Sequence, residues 1–172
     1  MSAGQAPAEK ERVRFLLDRL ADAWEGSQWH SFRRALEGLT DEEAAWKPLQ
    51  YKSPEPWGFS GSILDILLHV TIDTLMMPNQ VFGDRTLTAE AIWERFQAQG
   101  GDLAAACALL EEGYEATYKA LAQLTDRDLE QKTGTQKERS LESLFIEAIE
   151  HYLYHAGQIH YIRCLWEGAS SQ

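Results

Sequence analysis

Basic residues are few in this chain. Its 16 Lys and Arg are scattered among 27 Asp and Glu, for a formal net charge of −11. Such a surface repels a phosphate backbone, and no local basic patch offsets the repulsion, so nucleic acid is not an expected partner. Cysteine is scarce too. Cys107 and Cys164 form no CxxC pair, which leaves no disulfide framework, and both read as buried small apolar residues. No run of about 18 apolar residues is present, so no membrane span is expected. The opening MSAGQAPAEKERVRF lacks the apolar core of a signal peptide. These absences point to a cytoplasmic protein in a reducing compartment. Also missing is any sustained period-two alternation bounded by turn residues, so no strand is expected, and there is no internal repeat.

What is present suits one soluble globular domain: 172 residues, 44% of them hydrophobic and 25% charged. Residues 1–7 are small and polar and read as a tail, with the domain spanning 8–168. From about Ala8, apolar side chains at Val13, Leu16, Leu17, Leu20 and Trp24 recur at helical spacing. Gly26 ends or bends that helix, and the pattern resumes at Trp29, Phe32 and Leu36. Thr40 and Glu43 form a capping box for a short helix that Pro48 closes. A Pro- and Gly-bearing connection follows.

A second long helix starts near Ser60 or Ser62, the latter in a capping box with Asp65. Pro78 ends or kinks it, and Gly83 is a firmer stop. Thr88 caps a short helix, Gly100 and Gly101 break the chain, and Asp102 caps a third long helix through Leu121. After a polar loop, Ser140 caps the last helix, which ends at Gly168. Four long helices with one or two short ones predict an all-α fold, a four-helix bundle.

The last helix holds three of the five histidines. Residues four apart on a helix differ by roughly 40° in azimuth, so His151 and His155 share a face, with Glu147 and Gln158 on the same stripe. His160 lies on another face, and His30 sits near the end of the first helix. Two imidazoles at this spacing can converge on one metal ion. His69, on an inward face of the second long helix, is the candidate third ligand. The same pattern suits partly buried, hydrogen-bonded histidines without metal. Three imidazoles leave open the coordination positions that catalytic sites use. They suit zinc, nickel, iron or copper. Asp73, one turn beyond His69, can orient it, and Glu147 can orient His151 or serve as a fourth ligand.

The run HYLYHAGQIHYIR resembles the terminal-helix signature of the DinB-like superfamily, His-x-x-x-His-x-Gly-Gln-Ile followed shortly by Arg. Those positions are His151, His155, Gly157, Gln158, Ile159 and Arg163. LTDEEAAWKP and SGSILDILLHV resemble the family's approach to its second helix. The resemblance implies a four-helix bundle, often a homodimer, with a divalent metal, usually zinc or nickel, on His69, His151 and His155. It also implies enzymes that use a low-molecular-weight thiol such as mycothiol, bacillithiol or glutathione, among them maleylpyruvate isomerase and S-transferases.

The expected function is therefore a metal-dependent thiol S-transferase acting on a small molecule. A hydrolase on the same site and a non-enzymatic metal- or ligand-binding bundle are the alternatives. The absence of Lys and Arg between Gly61 and Asp84 weighs against an acidic thiol. Trp57, Phe59, Tyr152 and Tyr154 are candidate pocket walls. Gln158 is expected to bond a neighbouring helix. Arg163 is expected to pair with the thiol's carboxylate or with a nearby Glu or Asp. The remaining tryptophans are expected in the core or an interface.

Overall fold

A computed structural model describes residues 9–27, 30–48, 61–134 and 138–170. Among the described residues seven α-helices run in the order α1 Glu11–Ala21, α2 Phe32–Ala35, α3 Asp41–Ala45, α4 Ile63–Phe82, α5 Ala89–Ala98, α6 Leu103–Ala122 and α7 Leu141–Ser170. The fold is all-α. Among the described residues the only β-type pairing is an isolated bridge between Lys132 and Ser140. The tail 1–7, Trp29, Trp57, Phe59 and the connection from 49 to 60 lie outside the described residues.

Sequence signals fix most helix ends. The Ser62 hydroxyl accepts from the Asp65 amide at 3.1 Å while the Asp65 carboxylate accepts from the Ser62 amide at 3.3 Å, closing the expected capping box. The side chains of Thr40, Thr88 and Asp102 accept from the amides of Glu43, Ala91 and Ala105 and so cap α3, α5 and α6; the Glu43 carboxylate engages Arg163, so the expected Thr40–Glu43 box is only half formed. Ser140 accepts from the Ser143 amide at the start of α7.

The first helix ends at Gly26, one of the two expected outcomes; α1 passes into a π-turn over Asp22–Gly26, and α2 is a separate piece of four residues. Gly83 is the stop of α4, as expected, while Pro78 does not end the helix and is accommodated inside it. Helix α7 runs through Gly168 to Ser170, because nothing crowds the glycine and helical dihedrals are open to it.

The core lies between α1, α4, α6 and α7. Helices α4 and α6 approach closely where Gly113 has no β-carbon to meet Thr74. The Thr117 hydroxyl donates to the Thr74 carbonyl at 3.2 Å across the same contact. On α7, Tyr152, Ala156 and Ile159 form the buried stripe. Tyr152 sits edge-on to Trp24 and Phe32, with centroids 5.6 and 5.5 Å away. This stripe fixes the rotation of α7 and so sets where His151 and His155 point. Arg163 pins its far end, donating to the Glu43 carboxylate at 3.0 Å and to the carbonyls of Ala35 and Glu37 at 2.8 Å.

Candidate metal centre

His69, two turns into α4, faces His151 and His155 on α7. One ring nitrogen from each lies within 4.8 Å of the others. The ring centroids are 4.9 Å apart for His69 and His151, 5.1 Å for His69 and His155, and 4.5 Å for His151 and His155. His69 Nε2 and His151 Nε2 approach to 3.0 Å. Two imidazole nitrogens bound to one ion at about 2.0–2.1 Å stand roughly 3–3.4 Å apart, so this pair fits a shared cation. His155 is buried, and the other two are partly exposed.

Desolvation, with His69 adding to it, pushes the His151 imidazole down to about 4. Desolvation and then His151 push His155 down to about 4 as well. Both rings are therefore neutral near pH 7, the state in which imidazole offers a lone pair to a metal. Asp73 Oδ2 lies 3.8 Å from His69 Nε2 and 3.7 Å from His151 Nδ1. Desolvation lifts its carboxyl above the ordinary range, against the pull of His69 and His155. Gln158 Oε1 lies 2.7 Å from His155 Nδ1.

Beside the triad, a cavity of about 540 Å³ opens between α4 and α7. Asp73 and His151 form part of its wall. Met76, Met77, Val81 and Leu144 supply apolar surface, and Gln80, Arg139, Glu147, Glu150 and Tyr154 supply polar groups. A cleft of this size, with an apolar wall and a few convergent polar atoms, is the usual form of a small-molecule site.

A family model for the DinB superfamily matches residues 26–159. The chain belongs to the DinB superfamily. It is also similar to a solved structure described as the conserved protein of locus from Enterococcus faecalis. That match has a TM-score of 0.63 and 16% identity, covers 95% of this chain and 99% of the other, and speaks to the fold alone. No curated protein matches the chain.

In this DinB-superfamily protein the three histidines singled out from sequence are brought together. Asp73 is beside them, touching both His69 and His151. Glu147 is not: it pairs with Arg139 and lines the cavity. Tyr154 is a wall residue, whereas Tyr152 is sealed in the core. Gln158 bonds within its own helix and not to a neighbour. Arg163 takes the nearby-acid option, with Glu43. Cys107 is partly buried, and Cys164 is exposed because it points off the outer side of α7. Trp24 is in the core and Trp46 meets Trp166 edge-on, while Trp93 is exposed and not part of the core. Sequence reasoning missed Arg139, Met76, Met77 and Gln80. Arg139 ends the polar loop before α7, and no local pattern marks it as facing α4.

Proposed function

We propose that this protein is a metal-dependent enzyme that holds a divalent ion, zinc or nickel, through His69, His151 and His155 and transfers a low-molecular-weight thiol to a small electrophilic substrate. The observation that carries the reading is the convergence of three imidazoles at the edge of a cavity large enough for a small molecule. A divalent ion there lowers the pKa of a thiol or water that reaches it. Asp73 orients the imidazoles, and the apolar wall around Met77 and Leu144 holds the substrate's carbon skeleton and keeps bulk water out.

One observation favours a second reading, hydrolysis at the same site. Asp73, Glu147 and Glu150 line the cavity, and its guanidinium, Arg139, is already engaged by Glu147. An acidic thiol is poorly served by that charge pattern, whereas carboxylates can accept a proton from water. A bundle that only binds metal remains the non-enzymatic alternative.

Metal analysis of protein purified without a His-tag, beside the His151→Ala, His155→Ala double variant, tests the shared premise. The proposal expects ion in the wild type and loss in the variant; equal, trace metal in both defeats it. Titration of the cobalt or nickel form with thiols then separates the readings. A shift in the metal's absorption supports thiol use, and its absence supports hydrolysis.

We further propose a cytoplasmic homodimer. Exposed Tyr154, Tyr161 and Leu165 along α7 support the dimer, and the free thiols of Cys107 and Cys164 support a reducing compartment. Sedimentation at micromolar concentration checks the assembly: a monomer there rules the dimer out.

A further inference from the structure

We infer that Gln158 is a positioning residue, whose amide holds His155 in the Nδ1–H tautomer and ties that ring to the Tyr154 hydroxyl in the cavity wall. This rests on the metal-centre reading above and adds a residue to it.

Gln158 lies three residues beyond His155 and four beyond Tyr154, so all three share one side of α7. Its Oε1 sits 2.7 Å from His155 Nδ1. An amide oxygen only accepts, so Nδ1 carries the proton and the ring's lone pair stays on Nε2. The other end of the same amide is used as well. Gln158 Nε2 donates to the Tyr154 hydroxyl at 2.9 Å. With the amide set this way its oxygen meets the ring N–H and its nitrogen meets the hydroxyl oxygen, so both ends are satisfied. Tyr154 is among the residues lining the cavity. The chain of contacts therefore runs from the substrate space through Tyr154 and Gln158 to a buried imidazole.

The chemistry explains why glutamine suits this place. An imidazole that coordinates metal through one nitrogen needs an acceptor on the other, and loss of such partners typically lowers metal affinity 10–100-fold. Leucine has a similar size and no acceptor. Glutamate keeps the acceptor and loses the donor to Tyr154.

The test compares wild type, Gln158→Leu and Gln158→Glu. Long-range ¹H–¹⁵N spectra of the metal-free proteins report the His155 tautomer, and competition with a chromophoric chelator reports zinc affinity. The inference expects Nδ1–H in the wild type and Gln158→Glu, and loss of that preference in Gln158→Leu. It expects zinc affinity about 10–100-fold lower in Gln158→Leu and recovered in Gln158→Glu. An Nε2–H wild-type ring overturns it. So does a Gln158→Leu variant that keeps both tautomer and affinity. If wild type shows the Nδ1–H ring but binds no zinc, the metal reading fails while the tautomer assignment stands. Circular dichroism melts confirm that each variant is folded.

Discussion

His69 and His151 are 82 positions apart in sequence, yet their Nε2 atoms stand 3.0 Å apart. Two long helices must hold their rotation and height to bring that about. Helix α4 is fixed at its start by the Ser62–Asp65 box and along its length by contact with α6; α7 is fixed by its buried Tyr152 stripe and by Arg163. The site is thus a consequence of bundle packing, and its properties respond to changes made far from the histidines.

Replacing a ligand is the direct case. His69→Ala removes the only imidazole of the triad that α4 contributes. Zinc affinity is expected to fall by more than about a hundredfold, beyond the loss typical of a supporting residue. Chelator competition measures it, while the melting curve of the metal-free protein changes little.

Removal of metal exposes a pH dependence. His151 and His155 are held at about 4 in the folded chain, against about 6.5 in an unfolded one. Between those values the unfolded state binds more protons, so stability rises with pH. The metal-free protein therefore loses stability as pH falls from about 6.5 toward 4. Melting temperatures across that range, compared with the His151→Gln, His155→Gln variant, check the point; the variant should show a shallower slope.

Gly113 is a packing test. A β-carbon there would meet the side chain of Thr74, whose hydroxyl is committed to the Val70 carbonyl at 2.8 Å. Gly113→Val is expected to cost about 1–3 kcal/mol through overpacking. At roughly 2–4 °C per kcal/mol for a chain of this size, the shift is readable in a thermal melt. Zinc affinity should weaken too, because α4 carries His69.

Arg163 and Glu43 give a structural counterpart. Their side chains are 22% and 8% exposed, and the guanidinium also serves two backbone carbonyls. Arg163→Met should destabilise by about 3 kcal/mol, since it leaves a buried carboxylate unpaired. Denaturant unfolding measures that loss, and zinc affinity should weaken modestly, because Arg163 helps hold the α7 that carries His151 and His155.

Much of the site was legible because helices carry their own register. Spacing alone puts His151 and His155 on one face, and the capping residues Ser62, Asp102 and Ser140 mark where three helices begin. The family motif then points to His69. What could not be read is contact between segments distant in sequence. Arg139, just before α7, pairs with Glu147 and lines the cavity, contacts that no local pattern encodes. Gln158 was expected to reach across to another helix, yet its own helix supplies both partners at i−3 and i−4. Gly26 was ambiguous for the same reason: the π-turn over Asp22–Gly26 carries Trp24, which packs on Tyr114 and Tyr152 from distant helices.

The central claim is that three imidazoles surround one ion and leave room for a guest. X-ray absorption at the zinc edge of the zinc-loaded protein tests this directly. The account predicts a shell with three imidazole nitrogens and at least one further light atom, falling to two imidazoles in His69→Ala. A shell without imidazole scattering, or one unchanged by His69→Ala, would contradict it.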